Sequence, residues 1–229
     1  MKFLILIPFF LLTTLPAVAN GIHIYTPPSL IYQLQNGLEA IKKEHGEIPY
    51  NRVSHYVNFV KELRAKKLPE KELLDKVNLY VNGYVSENDG LVWDEDDKWL
   101  TREQFLIRGL GDCEEYAITK YFTLLDLGVS MDKLYMGATD DHLYNQGHMV
   151  LLYYPTPRSE PLVYDNASFK VLRLTERNDL TLRYVFNHSG NYEVGKNGEI
   201  IPRKDKHKIT YTKPFYDLLK AEQHNKYFK

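Results

Sequence analysis

The chain contains a single cysteine, Cys113, so no internal disulfide can cross-link its fold. A chain without cross-links must be held together by its hydrophobic core. Of the 229 residues, 44% are hydrophobic, which is enough for one domain of ordinary size with a small attachment. The formal net charge of −1 gives no basic excess that would attract nucleic acid, and we expect no nucleic-acid partner.

Residues 1–19 have the pattern of a signal peptide. A basic start at Met1-Lys2 precedes an apolar run from Phe3 to Leu15, and Ala17-Val18-Ala19 matches a cleavage site. The run is too short to span a bilayer comfortably, although a buried N-terminal helix would have a similar composition. We expect an exported mature chain that begins near Asn20 and has no membrane-spanning segment after processing.

Helical spacing dominates the region before the cysteine. Apolar residues recur at helical intervals in Leu30–Glu44, in Val53–Leu63 and in a helix opened by Pro69. Plain core packing explains these stripes. Thr101 and Gln104 have the spacing of a capping box, which predicts the start of another short helix.

A helix begins at the cysteine, and two strand patterns follow it. This helix extends from Cys113 to about Leu127, and its apolar stripe lies between Ala117 and Leu125. The strand patterns are His148–Tyr154 and Pro161–Asp165, and residues 155–160 join them as an antiparallel hairpin. Together these patterns predict an α+β fold.

The patterns divide the mature chain into three parts. Residues 20–90 form an N-terminal helical part, and residues 91–195 form the core that carries the chemistry. Residues 196–229 form a basic extension with nine Lys or Arg against four Asp or Glu, and a solvated tail is its simplest interpretation. Further short strands are predicted at Tyr184–Phe186 and Lys208–Tyr211.

The position of Cys113 favours a nucleophile over an inert core thiol. Backbone N–H groups and the helix dipole stabilise negative charge in the first turn of a helix, so we expect them to lower the pKa of the thiol. Gly109 and Gly111 would let the backbone approach a substrate closely. An inert cysteine is the usual alternative, but it would more often lie further along the apolar stripe.

A thiolate nucleophile needs a base and a group that orients the base, and the two predicted strands supply both. His148 opens the first strand, and Asp165 lies near the end of the second. Alternation places His148 on one face with Val150 and Leu152. We expect the N-terminus of the Cys113 helix to pack against that face.

Several segments carry a resemblance to a known family. Gly109–Leu125, Gly147–Pro155 and Glu160–Asn166 resemble the bacterial transglutaminase-like cysteine proteinases in residue type, order and spacing, and Trp99–Phe105 fits the segment before the nucleophile. The resemblance extends from about Val77 to Phe186 and is closest to the LapG-like periplasmic adhesin-releasing proteases. It implies a papain/transglutaminase-like fold, with N-terminal helices and a nucleophile helix packed on an antiparallel sheet.

The resemblance also implies the site residues. It implies a triad with Cys113 as nucleophile, His148 as general base and acid, and Asp165 as orienting carboxylate. It further implies a calcium ion beside the nucleophile, bound by Asp112, Glu114 and Glu115, the last of which stands where the family commonly has an aspartate. Capping of the helix by Asp112 and Glu114 would explain the same acidic pattern without a metal.

The resemblance finally implies a location, a substrate and a partner. The expected enzyme is a periplasmic, calcium-dependent endopeptidase that cleaves the N-terminal region of a large repeat adhesin at a small-residue, di-alanine-type site. Cleavage would release the adhesin from the outer membrane and promote biofilm dispersal. An inner-membrane receptor for cyclic di-GMP would sequester the protease through its periplasmic domain. Two other functions stay open, a protein-crosslinking transglutaminase and a non-catalytic calcium-binding adaptor.

Overall fold

Most of the helices precede the sheet in the chain. The computed structural model describes residues 30–86, 99–196, 198–202 and 212–223. Its α-helices are Leu30–His45 (α1), Glu47–Lys66 (α2), Glu70–Val81 (α3), Arg102–Arg108 (α4), Cys113–Asp126 (α5) and Lys213–Gln223 (α6). The predicted helices before and at the cysteine are confirmed. Within those ranges, no helix is both long and apolar enough to cross a bilayer. The predicted signal peptide lies outside the described residues.

An antiparallel sheet forms the second layer. The strands of the described chain are Val85–Ser86 (β1), Leu110–Gly111 (β2), Leu134–Asp141 (β3), Gln146–Tyr153 (β4), Leu162–Tyr164 (β5), Leu172–Arg173 (β6), Leu180–Asn187 (β7), Gly190–Val194 (β8) and Ile200–Pro202 (β9). Strands β1 and β2 form a separate parallel pair. Strands β3 to β9 form one sheet in the order β6-β5-β4-β3-β7-β8-β9, and every neighbouring pair is antiparallel. The predicted hairpin is β4–β5, and the strand predicted at Tyr184–Phe186 belongs to the longer β7. The one predicted at Lys208–Tyr211 lies outside the described residues.

Helix α5 packs between the N-terminal helices and the sheet. The largest hydrophobic cluster joins buried residues from all three, for example Val77 of α3, Tyr121 of α5 and Leu151 of β4. The N-terminal helices therefore share one core with the segment that carries Cys113. The predicted α+β arrangement, with this helix packed on an antiparallel sheet, is confirmed.

The opposite face of the sheet has a hydrophobic cluster of its own. It contains Val150 and Leu152 of β4 together with Val163 of β5, and no α5 residue among those described. Met149 and Leu151 of the same strand belong to the α5 cluster instead. The expectation that α5 packs against the face of Val150 and Leu152 is therefore wrong. Both faces of β4 are apolar, so alternation cannot tell which of them a helix covers.

The described part of the C-terminal segment is not a solvated tail. Helix α6 buries Phe215 completely in the α5 cluster. The Phe215 ring meets Tyr121 and Phe186 edge-on, with ring centroids 5.4 Å and 5.2 Å apart. Burying a phenylalanine contributes about 1.5–3 kcal/mol to stability. Helix α6 thus packs on the core through Phe215 and Leu218, although the extension is basic overall.

Candidate active site

An open cavity of about 860 Å³ lies where the N-terminus of α5 meets the sheet. Its walls include the start of α5 (Asp112, Cys113, Glu114), the β3–β4 hairpin (Thr139, Asp141, Tyr144, His148) and the loop after β5 (Asn166, Ala167). Two residues of the predicted triad, Cys113 and His148, line this cavity. The third, Asp165, is 1% exposed and lies beside His148.

Reciprocal hydrogen bonds make α5 begin at Cys113. Asp112 is the N-cap, and its Oδ1 accepts the Glu114 N–H at 3.3 Å. In return, Glu115 Oε2 accepts the Asp112 N–H at 3.1 Å, which completes a capping box. Glu115 Oε1 accepts the N–H of Leu100 at 2.8 Å. The structure therefore places Glu115, a predicted calcium ligand, in the capping network, where it holds backbone.

The glycines before the nucleophile are needed for packing against the protein itself. A Cβ on Gly111 would lie 2.8 Å from the Phe105 ring, and a Cβ on Gly109 would lie 2.1 Å from Arg52 Cζ. Gly109 also has a φ of +80°, which side chains disfavour. The interpretation that these glycines admit the substrate is therefore replaced by one in which they let the loop pass against α2 and α4.

A thiol and two carboxylates form a tight cluster on the cavity wall. The ligating atoms of Asp112, Cys113 and Glu114 all lie within 4.8 Å of one another. The Cys113 thiol donates a hydrogen bond to Glu114 Oε2 at 2.9 Å. Desolvation raises the pKa of this thiol, and the negative charges of Glu114 and Asp112 raise it further. The expected lowering of the pKa is wrong here because a helix dipole supplies only about half a charge, which two carboxylates and burial outweigh.

The chemistry of this cluster fits calcium. Asp112 and Glu114 offer carboxylate oxygens, the hard ligands that calcium prefers in proteins. Two carboxylates held this close repel each other, and a divalent cation would relieve that repulsion. Sulfur is not a usual calcium ligand, so the thiol would stay available for chemistry.

His148 and Asp165 form a buried pair beside the cavity. His148 Nε2 lies 2.7 Å from Asp165 Oδ1, and the two side chains are 5% and 0% exposed. Nδ1 is therefore the ring nitrogen that remains to exchange a proton with another group. The structure thus brings together two residues that the sequence predicted to act as a unit.

Further hydrogen bonds fix Asp165 from three sides. Its Oδ1 also accepts the Ala167 N–H at 2.9 Å, and its Oδ2 accepts from Arg177 Nη2 at 2.8 Å. Asn82 Nδ2 donates to the Asp165 carbonyl at 2.7 Å. Burial raises the pKa of Asp165, but the hydrogen bonds from His148, Ala167 and Arg177 outweigh burial and hold the pKa well below its usual range.

The sequence did not predict two of these partners, Asn82 and Arg177. Asn82 is the C-cap of α3, 83 residues before Asp165 in the chain. Arg177 lies in the connection between β6 and β7, a stretch of ordinary surface composition. Neither position carries a periodicity or a motif, so only the folded chain reveals their role.

Cys113 and His148 reach the same cavity from different elements. Cys113 comes from the first turn of α5, and His148 comes from near the start of β4, where the consecutive residues Gly147, His148 and Met149 all line the cavity. The thiol hydrogen bond goes to Glu114 in this arrangement. Proton transfer to His148 therefore requires the thiol to turn, as is common before a substrate is bound.

Comparison with protein families assigns the chain. The model of the bacterial transglutaminase-like cysteine proteinase family matches residues 55–193, which contain Cys113, His148 and Asp165. The chain belongs to this family. The match is longer than the resemblance seen in the sequence, and it includes most of α2 and all of α3. No curated protein matches the chain.

Solved structures agree with membership of the transglutaminase-like cysteine proteinases. LapG of Legionella pneumophila matches with a TM-score of 0.67 and 32% identity, over 82% of this chain and 97% of LapG. Its EGTA-treated form gives 0.68 and 32% over the same shares, and its calcium-bound form gives 0.67 and 32% over 83% and 98%. The predicted transglutaminase-like fold and the LapG-like resemblance are confirmed. The chain is a transglutaminase-like cysteine protease of the LapG type.

Proposed function

We propose that the chain is a calcium-dependent periplasmic endopeptidase that cleaves the N-terminal region of a large surface adhesin. The observation that carries this proposal is the shared cavity, which Cys113 and His148 both line while Asp165 is bonded to His148 behind the cavity wall. Membership of a cysteine proteinase family and the likeness to LapG support the protease chemistry.

Acylation uses the three triad residues in turn. The Cys113 thiol gives its proton to His148 Nδ1, and Sγ attacks the carbonyl carbon of the scissile peptide bond. Asp165 holds the imidazolium through Nε2. The imidazolium then donates the proton to the amide nitrogen while the C–N bond breaks, and the new amino terminus leaves. Asp165 keeps its charge throughout, because its hydrogen bonds hold its pKa low.

In deacylation, water is the nucleophile, and His148 first accepts a proton from water and then returns a proton to the sulfur. Water gives a proton to His148, and its oxygen bonds to the acyl carbon while the C–S bond breaks. The sulfur takes the proton back, and the new carboxyl terminus leaves. The Asp112 side chain already accepts the N–H groups of Glu114 and Glu115. Among the described first-turn groups, the N–H of Cys113 itself is therefore our candidate donor to the oxyanion.

Asp112 and Glu114 are the residues that would hold calcium. When bound, calcium would supply positive charge that neutralises the two carboxylates beside the thiol. Their spacing and oxygen chemistry support this assignment, and LapG of Legionella pneumophila has been solved in both calcium-bound and EGTA-treated forms. Glu115 is left out of the ligand set because its oxygens hold the backbone of Asp112 and Leu100.

The family resemblance supports the substrate, the location and the partner. A cavity of about 860 Å³ that is open to solvent can admit an extended polypeptide, and a di-alanine-type site needs little room beside the thiol. The signal peptide predicted at residues 1–19 favours the periplasm. There, release of the adhesin would promote biofilm dispersal, and an inner-membrane cyclic di-GMP receptor would sequester the protease.

The test is a cleavage assay on the N-terminal region of a repeat adhesin from the same genome. With calcium, the purified wild-type chain should cut this fragment once, and Cys113→Ala should leave it intact while keeping the wild-type circular dichroism spectrum. Products of higher mass, formed when amine donors are present, would indicate a crosslinking transglutaminase. Cleavage by Cys113→Ala would overturn the assignment of the nucleophile.

Calcium is tested by activity and by binding. EGTA should stop cleavage and added calcium should restore it, whereas magnesium should substitute poorly because it demands a tighter octahedral shell. Calorimetry should show calcium binding to the wild type and none to the double variant Asp112→Ala, Glu114→Ala. Equal binding by both proteins would mean that these carboxylates only cap α5.

A further inference from the structure

The buried pair beside the cavity continues into a longer hydrogen-bonded chain. The Arg177 side chain is 5% exposed, and its Nη2 donates to Asp165 Oδ2 at 2.8 Å. The same guanidinium donates to Asp179 through Nε at 2.9 Å and through Nη2 at 2.6 Å. Asp179, Arg177 and Asp165 therefore form a continuous chain that ends at the imidazole of His148.

Asp179 is itself attached to the rim of the cavity. Its backbone carbonyl accepts the N–H of His142 at 2.8 Å, and His142 lies in the turn of the β3–β4 hairpin that lines the cavity. The carboxylate of Asp179 is 22% exposed, so it is anchored at the edge of the protein and bonded inward to Arg177. The Arg177–Asp179 pair, which we call the brace, thus links Asp165 to the β3–β4 hairpin, and the second strand of that hairpin carries His148.

A carboxylate is held in one rotation when both of its oxygens accept hydrogen bonds from fixed donors. His148 and Ala167 both engage Asp165 Oδ1, and Arg177 is the side chain that engages Oδ2. A planar guanidinium fits this role because its donors have a rigid geometry and its charge is permanent. Lys120 of α5 also interacts electrostatically with Asp165, but its Nζ has no hydrogen-bond partner within the part of the chain that the structure describes, so it does not fix the rotation of the carboxylate.

We propose that Arg177, braced by Asp179, is a positioning residue that holds Asp165 with its Oδ1 directed at His148 Nε2. The inference rests on the proposed function, because it takes Asp165 as the orienting carboxylate. Arg177 is not among the residues that line the cavity, so it acts through Asp165 and does not touch the substrate.

The first test is Arg177→Met in the cleavage assay. We expect kcat to fall about 10- to 100-fold with KM unchanged, the loss that is typical when a hydrogen-bond partner that orients a metal-binding side chain is removed. Arg102→Met is the matched control. Arg102 is also buried and forms an ion pair with Asp126, 2.7 Å between the charged atoms, and neither residue lines the cavity. The control should lower the unfolding temperature and keep the kcat of the folded enzyme.

The second test asks whether Arg177 acts through Asp165. In an Asp165→Asn background, Arg177→Met should have no further effect on kcat, because the carboxylate that it positions is already gone. An equal loss in both backgrounds would show that Arg177 acts elsewhere and would overturn the proposal.

Two milder variants keep the proposal testable if Arg177→Met does not fold. Arg177→Lys keeps the charge without the planar donors and should retain part of kcat. Asp179→Asn removes the charge of the brace, and it should lower kcat and shift the proton resonance of the His148 Nε2–H, with KM unchanged. Wild-type kcat and an unmoved resonance in both folded variants would overturn the proposal.

The failure of this inference can be told from the failure of the proposed function. No cleavage by the wild type would reject the proposed function itself. Cleavage by the wild type together with full activity in Asp165→Asn would remove the orienting role of Asp165 and with it this inference, while the proposed cleavage would stand. A loss of activity in Asp165→Asn together with full kcat in Arg177→Met would reject the role of Arg177 only.

Discussion

Two buried arginine–aspartate pairs contact different parts of the molecule. Arg102 of α4 pairs with Asp126 at the C-terminal end of α5, at 2.7 Å and with side chains 0% and 1% exposed. Arg177 pairs with Asp165 beside the cavity, at 2.8 Å and with side chains 5% and 0% exposed. The two ion pairs are therefore nearly identical in the distance between the charged atoms and in the burial of both side chains.

Their further partners differ. Arg102 also donates to the Tyr56 hydroxyl, which bonds to Thr123, so the first pair closes a network that joins α2, α4 and α5. In the second pair, Asp165 bonds through its other oxygen to His148 on the cavity wall. The burial and the distance of an ion pair therefore do not indicate whether it serves stability or activity. The group to which the pair is further hydrogen-bonded does indicate this. Disruption of the first pair should cost stability, and disruption of the second should cost activity.

The largest effect is expected at the imidazole. His148→Ala should lower kcat about 10⁴-fold and Asp165→Asn about 10²-fold, within the range that general acid–base catalysis contributes. Asp165 only orients the ring and stabilises its charge, so the smaller loss is expected there. Cleavage rates of both variants, with circular dichroism to confirm the fold, check this order. A larger loss of kcat in Asp165→Asn than in His148→Ala would mean that the proposed roles of the two residues are wrong.

The next effect is a loss of stability at the other pair. Arg102→Met leaves the carboxylate of Asp126 buried without its charged partner and should cost about 3–5 kcal/mol of unfolding free energy. The double variant with Asp126→Leu removes both charges and should recover most of that loss. Urea unfolding measures both. A change below about 1 kcal/mol in the single variant would show that the pair is not a stabilising unit.

A third buried cation should respond in the opposite direction. Lys120 is 1% exposed, and burial lowers its pKa to about 7 although the charge of Asp165 opposes the shift. Its Nζ has no hydrogen-bond partner in the described ranges. Lys120→Met keeps a similar volume and removes the cost of burying an ammonium, so unfolding free energy should rise by about 1–4 kcal/mol. Destabilisation in urea unfolding would contradict this.

The smallest effect is expected at the cap of α4. Thr101 Oγ1 accepts the Gln104 N–H at 3.2 Å, and Gln104 Oε1 accepts the Thr101 N–H at 2.8 Å. Thr101→Ala removes one of these bonds and should cost about 1 kcal/mol. Thr101→Ser, which keeps the hydroxyl, is the matched control. Equal unfolding free energies for the Ala and Ser variants would mean that the box does not stabilise α4.

Local signals predicted the helices up to α5 and the β4–β5 hairpin, but not β3, the strand that lies between β4 and β7 in the sheet. The capping box at Thr101, the start of α5 at Cys113 and the β4–β5 hairpin are confirmed by the structure. Each depends on neighbours in the chain, because caps, turns and apolar periodicity involve residues only a few positions apart. The C-terminal helix was missed because Phe215 lies in a segment whose overall composition is basic.

The site could be predicted only in part. Residue type and order singled out Cys113, His148 and Asp165, and the structure places the first two on one cavity and the third on His148. Their catalytic roles stay predictions until the assays are done. The predicted direction of the Cys113 pKa shift was wrong, because a helix position is visible in the sequence but the combined effect of burial and adjacent charge is not.

The sequence by itself determined the helices up to α5, the β4–β5 hairpin, and Cys113, His148 and Asp165 as candidate site residues, since these follow from short-range patterning and residue chemistry. Only the tertiary structure decided which face of β4 meets α5, and only it brought Arg177 and Asn82 to Asp165. Those contacts join residues that are far apart in the chain, or residues of loops whose sequence shows no periodicity or motif. They exist because packing brings buried polar groups together and leaves each one needing a partner.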